Sequence, residues 1–545
     1  MSIAIDTELA LLVDTGTAWT KAGVIGRVRG RWRLVAHAAQ PTAWGEEELL
    51  RRLVEQLAAT ADARLTGRFG ELLARSTRVE CRTPARAARL AVVAVSRELS
   101  GSSARRAAEA AGWHVTEMVT LDDGLSLAGR VAVLQSAEVD AWLLAGGFDD
   151  ARSARAFEAA ALVAAARRPG GPPVVWAGSN VLAADVIGLF EKGAATAVTN
   201  PRPDPRRDEP AELREHLQGL LRRIVGPADE ERLTPVALPR AVGALAHATG
   251  LRVLAVDIGA TTAMRVLADP DGRVESRVHA RGGLAGAMLL PGAAGRIVRI
   301  DVDAGDEPAV ADLLHNLHAR PASLPQTSEE LAATQAAARL LLASLVEDGV
   351  GGPLDLVVGT GRAIAAAPHP GQAMRMLLDG VRPVGVTQMA IDAGGLLGPL
   401  GSLTDAEISE GLTLLADDLL VPLGTSVVCR GGDPGRVAMR VTVHRAGWPA
   451  HSPVEVRTGQ VQVIALPRGQ EAELTIEPAN GVTLGAARRS PRITATATGG
   501  VVGLVLDARG IPIGLPRRAD DRRAVVASWR DSLMREAPVG AERVA

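Results

Sequence analysis

A chain of 545 residues has room for three or four domains of about 150 residues, so a small disulfide-held scaffold is excluded. Its 60 basic and 62 acidic residues give a formal charge of −2, and its aromatic residues are eight Trp, four Phe and no Tyr. That composition offers neither a basic surface for a nucleic-acid backbone nor a stacking platform for bases, so no nucleic-acid partner is expected. Cys81 and Cys429 match no metal-ligand spacing, and the segment from Met1 to Ala10 carries Asp6 and Glu8 where a signal peptide carries basic residues. Apolar stretches such as Ala159 to Ala166 are far shorter than the roughly 20 residues of a membrane span. The expectation is a soluble cytoplasmic protein without a membrane span.

In chain order, Leu9 to Asp14 reads as a strand, followed by a tight Thr-Gly-Thr turn, a strand over Ala22 to Ile25 and a third over Trp32 to Ala36. Glu46 to Ala58 has helical spacing. Strands at Ala91 to Ser96, Val115 to Val119, Ala141 to Ala145, Pro173 to Ala177 and Ala195 to Thr199 then alternate with helices, which predicts a parallel sheet covered by helices. Pro201 to Pro210 reads as an exposed linker. Val253 to Asp257 opens a second strand-and-turn unit 243 residues after the first, an internal echo that predicts two related halves. Ser328 to Leu345 is a strong helix, and Leu354 to Val358 is a buried strand closing on Gly359-Thr360-Gly361. After Leu423, short alternating runs separated by Gly and Pro predict a separate all-β sandwich, and Arg522 to Glu536 a final helix.

Two constellations carry chemistry. In Asp14-Thr15-Gly16-Thr17, with Thr20 and Lys21, a turn between buried strands offers backbone N–H groups and hydroxyls to phosphate oxygens. Asp14 would hold Mg2+ through water, since Mg2+ keeps much of its hydration shell. Lys21 and Lys192 are the only lysines, so a compact ammonium beside this turn is a candidate to neutralise phosphate charge. The plain alternative is an ordinary hairpin with Asp14 in an Asx-turn. The second constellation, Asp257-Ile258-Gly259-Ala260-Thr261-Thr262, has the same chemistry. Facing turns would grip a triphosphate from both sides, with Asp14 and Asp257 sharing one hydrated cation.

Together the turns resemble the phosphate loops of the ATPase superfamily of actin, heat-shock chaperones and sugar kinases. A closer resemblance rests on Gly359-Thr360-Gly361, the run from Ala365 to Gln372, Pro383 to Thr387, Ala111 to Val115, Leu143 to Gly147 and Trp176 to Asn180. On these motifs the chain resembles the glutamate-mutase-associated L-protein family (GlmL or MutL-like), unrelated to the mismatch-repair protein of similar name. The resemblance implies an α/β, two-lobed actin-like ATPase fold of the ribonuclease H-like kind, with the C-terminal all-β sandwich appended. It implies that Gly359, Thr360, Gly361 and Arg362 receive the adenosine, with ATP or ADP and Mg2+ as cofactors. It implies as partner a cobalamin-dependent mutase or aminomutase, which this chain would reactivate as a chaperone does; no cobalamin site is identified in the chain itself. The expected domains are 8–245, a first lobe with a parallel α/β segment at about 126–200 and a linker near 201–210; 246–425, a second lobe; 430–516, the β-sandwich; and 517–545, a terminal helix and tail.

Three departures from the family pattern bear on activity. Met264 stands where the second phosphate loop usually ends in Asp, with Ala263 beside it; Met cannot orient a metal-bound water. Arg362 replaces the last glycine of the adenosine turn, and Gly146-Gly147-Phe148-Asp149-Asp150 lacks the threonine and later glycines of the family sequence. Nucleotide binding with slow hydrolysis is expected, in a protein that is not itself a mutase. The alternatives are a degenerate, non-hydrolysing scaffold that recruits a partner through its sandwich, and, third, a small-molecule kinase. His247, His279, His315, His318 and His369 read as bland surface histidines, Ser179 or Asn180 as an N-cap, and Arg517, Arg518, Arg522 and Arg523 with Asp520 and Asp521 as a salt-laced face.

Overall fold

The structure is a computed structural model that describes residues 9–28, 31–60, 71, 75–83, 88–150, 152–225, 232–279, 282–347, 349–403, 418–445, 452–485 and 491–535. Two compact units divide it: Met1–Thr83, Ala237–Glu275 and Arg281–Ala545 form one, Pro84–Val236 with Ser276–Ala280 the other.

The first unit opens with β1 (Leu9–Thr15), β2 (Trp19–Val28), β3 (Arg31–Pro41) and β4 (Thr77–Arg82), ordered β3-β2-β1-β4. The three-stranded meander is antiparallel, and β4 joins β1 in parallel. Alternate residues Leu9, Leu11 and Val13 enter a core shared with Leu49 and Leu53 of the helix Glu46–Thr60, so the apolar stripe of that helix closes one face of the sheet.

The second unit holds β5 (Arg89–Ala94), β6 (His114–Thr120), β7 (Ala141–Ala145), β8 (Val174–Trp176) and β9 (Ala195–Ala197), all parallel, in the order β6-β5-β7-β8-β9. Both faces are covered. On β5, Leu90, Val92 and Ala94 meet one set of helices, including Ser102–Ala110 and Ala211–Val225; Ala91 and Val93 meet the other, including Ala154–Ala166. This is why the strands read as continuous apolar runs. The parallel segment therefore begins at β5, well before the expected start near residue 126. The expected linker near 201–210 is instead folded onto this unit: Asp208 accepts from Ser103 and Arg106, and Asn200 donates to Gly147 O and Asp149.

The first unit resumes at Ala237 within the helix Thr234–Thr249 and holds β10 (Val253–Ile258), β11 (Ala263–Ala268), the first two residues of β12 (Val274–His279), β13 (Leu356–Thr360) and β14 (Gly385–Asp392). The hairpin of β10 and β11 is antiparallel, and β13 joins β10 in parallel, as β4 joins β1. The predicted echo is thus a repeated topology.

Beyond β14 come β15 (Leu420–Val428), β16 (Val437–His444), β17 (Val454–Arg457), β18 (Val461–Ile464), β19 (Glu471–Pro478), β20 (Ile493–Thr498) and β21 (Gly503–Asp507). The C-terminal β-sandwich is present, but it is not a free-standing module. One layer is the antiparallel sheet β17-β16-β19-β20; the other is the continuation β14-β15-β21-β18 of the sheet that holds β10 and β13. Met439, Val441 and Val443 of β16 with Leu474 and Ile476 of β19 pack on Val427, Leu504 and Leu506. The final helix is Ala519–Leu533, starting and ending three residues earlier than expected, with Val526, Trp529 and Leu533 buried. Among the described residues no helix is long and apolar enough to cross a membrane.

Candidate functional site

The site grows from the two repeated hairpins of the first unit. In each, Asp is the last residue but one of the strand and the turn closes through a glycine amide: Gly16 N–H donates to Trp19 O at 3.0 Å, and Gly259 N–H to Thr262 O at 2.9 Å. The registers also match, with Asp14 opposite Lys21 and Asp257 opposite Met264. Tertiary structure brings the two turns into contact, since the hydroxyls of Thr17 and Thr261 hydrogen-bond at 2.8 Å.

Lys21 crosses to Asp14, Nζ to Oδ2 2.7 Å, while the Cys81 thiol donates to Asp14 Oδ1 at 3.4 Å. Asp257 and a third carboxylate, Asp392, lie close enough to act on Lys21 electrostatically. Burial alone would lower the lysine pKa, but Asp14, Asp257 and Asp392 outweigh it and hold the ammonium firmly protonated. Asp257 shows the reverse balance: burial, with the Asp14 and Asp392 charges, pushes it up to about 6 against the pull of Lys21. Asp392 is also raised by burial, although Leu396 N–H, Leu397 N–H and the Thr360 hydroxyl donate to it at 3.0, 2.9 and 3.2 Å.

The glycine-rich turn after β13 meets this cluster. Gly361 has φ +81°, and a Cβ there would fall 2.3 Å from Asp257 Oδ1. Gly395, with φ +65°, leaves the same kind of room for the Lys21 side chain, 2.4 Å from where a Cβ would sit. Lys21, Gly361, Arg362, Gly394 and Gly395 line a cleft of about 590 Å³, together with His37 and Arg52 among others.

Of the expected phosphate-loop residues, Thr17 and Thr261 touch, and Lys21 and Asp14 form the ion pair described above. Gly16, Gly259, Ala260 and Thr262 are held in the turns, Ala260 accepting from Ala285 N–H. Thr15 O accepts from Thr83 N–H. Thr20 alternates with Lys21 along β2 and is buried; it bonds Thr42, which donates to Gly16 O, so Thr20 braces the turn from behind. Of the expected adenosine turn, Gly359 and Thr360 are interior and only Gly361 and Arg362 reach the cleft. The Arg362 guanidinium stacks 3.6 Å from the Trp19 ring centroid, and burial lowers its pKa. Met264, 1% exposed, lies directly across from Asp257 and so shares its face of the sheet, whereas Ala263 belongs to the apolar core beneath.

Asp392, Trp19, Cys81 and Gly394–Gly395 escaped sequence reasoning. A signal was present: a buried strand ending in Asp before small residues, the pattern already used at Asp14. Among the described residues no three His, Cys, Asp or Glu side chains converge as a direct metal cage. The donor set nonetheless suits a hydrated hard cation: three carboxylates, Asp14, Asp257 and Asp392, stand around one ammonium.

The weaker features are accounted for locally. Asn180 N–H donates to Asp149 rather than to an external anion, and neither Ser179 nor Asn180 caps a helix through its side chain. His369 caps the helix Pro370–Val381, and His318 Nδ1 is bonded to Ala285 O. His279 is half-buried rather than a surface residue, with a pKa lowered to about 4 by burial. Arg522 donates to the carbonyls of Pro516 and Arg517.

A family model described as MutL protein matches residues 10–351. The chain belongs to the MutL family, the glutamate-mutase-associated L proteins. No curated protein matches it. Solved structures similar to this MutL-family chain include the activator of 2-hydroxyisocaproyl-CoA dehydratase from Clostridium difficile with bound ADPNP. That pair is 10% identical over 74% of this chain and 96% of the other, with a TM-score of 0.27. A nucleotide-free acetone carboxylase is 12% identical over 90% and 86%, at 0.27. Xylulose kinase from Bifidobacterium adolescentis is 12% identical over 77% and 96%, at 0.23. At these scores nothing about activity follows from the likeness. The MutL-family chain is a mixed α/β protein with two repeated strand-hairpin sheets and a C-terminal sandwich.

Proposed function

We propose that this chain is a nucleotide-binding accessory protein that serves a cobalamin-dependent mutase of the glutamate mutase or aminomutase type. The observation that carries the nucleotide reading is the meeting of the two Asp-X-Gly turns at Thr17 and Thr261, beside a lysine set among three carboxylates. The turns Thr15–Thr17 and Gly259–Thr262 would hold phosphates through backbone N–H groups and hydroxyls, and Lys21 would neutralise their charge. Asp14 and Asp257 would hold Mg2+ through water; when bound, the ion offsets charge between carboxylates and phosphate. Arg362, stacked on Trp19 at the cleft, would pack beside the nucleotide.

Family membership supports the mutase as partner, and lobe closure linked to nucleotide would act on it through differential affinity of the two arrangements. The apolar Met264 opposite Asp257 favours slow hydrolysis, and in the limit a non-hydrolysing scaffold. Calorimetric titration of the folded protein with ATP and ADP in Mg2+ tests the site. Saturable binding that weakens in Lys21→Ala is expected; a flat titration rejects the nucleotide reading. Addition of the protein and ATP to an inactivated cobalamin mutase tests the partner, and binding without restored activity would confine the proposal to its nucleotide half.

A further inference from the structure

The parallel sheet of the second unit, β6-β5-β7-β8-β9, has the order 2-1-3-4-5 when numbered within itself, a doubly wound arrangement that reverses between β5 and β7. Because its strands are parallel, the connections after β5, β6, β7 and β8 leave from one edge. In such sheets the crevice at the reversal takes a small ligand. Here the protein fills it. Val95 N–H donates to Ala145 O at 3.3 Å and Ser179 N–H to Gly146 O at 3.0 Å, while a Cβ on Gly146 would fall 2.5 Å from the Val95 side chain.

What this edge presents is a row of apolar side chains. Leu125 and Leu127 follow β6, Leu99 follows β5, Phe148 follows β7 and Val181 follows β8, so each of four adjacent connections carries at least one, 37% to 60% exposed. Of the large apolar side chains that this unit exposes among its described residues, only Ile224 lies elsewhere. Single exposed apolar residues are ordinary, but their gathering on one edge marks an interaction surface. Three strand spacings make the row about 14 Å long, the scale of an interface's apolar centre. The connections also brace one another: Arg97 N–H donates to the Asp122 carboxylate at 3.1 Å, and Asn180 N–H to Asp149 at 3.1 Å. A row held in this way is ordered before a partner arrives, which lowers the entropy cost of binding.

Charge selects the partner. The same connections carry Glu98, Asp122, Asp123, Asp149 and Asp150 against Arg97 and Arg152. Arg130 neutralises Asp123 at 2.9 Å, and Arg152 is paired with Asp185 at 3.4 Å, so the rim keeps an excess of acid. Phe148 and Asp150 fall in the run that departs from the family sequence, so part of this surface is particular to the chain. We propose that this edge is the docking surface for a partner protein whose contact face is apolar at its centre and basic at its rim. A second copy of the chain is disfavoured, because a two-fold contact sets these acids against one another. The surface is independent of the nucleotide cleft, and its test needs no nucleotide.

The full chain is titrated in a calorimeter with an amphipathic Leu/Lys helical peptide and with a Leu/Glu peptide of the same length and pattern. The Leu/Lys peptide is expected to saturate one site with a Kd of about 10 μM, and the Leu/Glu peptide to bind about tenfold more weakly or less. Leu127→Ser combined with Phe148→Ser should weaken the Leu/Lys peptide about tenfold; Glu98→Lys combined with Asp150→Lys should do the same and tighten the Leu/Glu peptide. All four side chains are exposed, so an unchanged thermal melt is expected and checks the fold. No saturable Leu/Lys binding at about 100 μM, equal affinity for the two peptides, or an unchanged affinity in the folded Leu127→Ser, Phe148→Ser protein would each overturn the proposal. So would a dimer in sedimentation that this double variant abolishes, since the second copy would then be the occupant.

Discussion

The two hairpins of the first unit share one backbone and differ in the residue across from the Asp. Asp14 faces Lys21 and is ion-paired at 2.7 Å; Asp257 faces Met264, and its carboxyl is pushed up to about 6. Lys21 and Met264 occupy the same place in their repeats, 243 residues apart, as Asp14 and Asp257 do. One repeat has kept a polar arm and the other has closed over with an apolar one. The lesson is that a repeated turn keeps its hairpin geometry while the chemistry beside it becomes one-sided. Lys21 then serves both halves, acting on Asp14, Asp257 and Asp392 together.

The comparison breaks most severely at the residue beside Met264. Ala263 is 1% exposed in the core formed with Leu254, Val256 and Ile258, so Ala263→Asp buries an unpartnered carboxylate. A loss of several kcal/mol is expected, seen as insoluble protein or a collapsed thermal melt. Next comes Lys21→Met, which makes the first hairpin resemble the second. Three carboxylates then lack their cation, and ATP affinity in calorimetry should fall on the order of 10²-fold, about 3 kcal/mol. Its melting temperature should fall more at pH 8 than at pH 5, where Asp257 can take up a proton.

Met264→Asp sharpens the comparison by restoring an acid to the second repeat on the face of Asp257. It should raise ATP turnover on the order of 10²-fold with little change in affinity. An unchanged steady-state rate would show that another group limits hydrolysis.

A smaller effect is expected at Asp257 itself. Its pKa in the folded state, about 6, lies above the ordinary 3.8, so the folded protein binds more protons between those values and stability falls as pH rises through that window. Asp257→Asn should therefore be more stable than the parent by about 1–3 kcal/mol above pH 6, with the gap closing by about pH 4 in denaturant titrations. The smallest change is Thr17→Val, which removes the bond to Thr261. It should cost about 1 kcal/mol, and Thr261→Val should match it without adding to it in the double variant.

Much of this was legible in the chain. The strand-Asp-X-Gly turns, the helix-strand alternation between Arg89 and Ala197, and the shift to short strands after Leu423 all express local periodicity and residue type. Thr20 shows the limit: its hydroxyl suits phosphate, but period-two alternation from Lys21 turns it to Thr42. Pro201 to Pro210 shows another. Its composition suggests a solvated linker, whereas Asp208 finds Ser103 and Arg106, residues distant in sequence. Sandwich strands were visible, but not that Gly424 pairs with Gly503 to extend the sheet of β10 and β13.

The sequence by itself determined the two turns, their acids and the single lysine beside the first, because each depends on residues within one hairpin. Only the tertiary structure decided that Thr17 meets Thr261, that Asp392 joins Asp14 and Asp257, that Arg362 stacks on Trp19, and that Met264 rather than Ala263 faces the site. These pairings join distant segments, and strand register and sheet order, which no local pattern encodes, select them from many chemically equivalent partners.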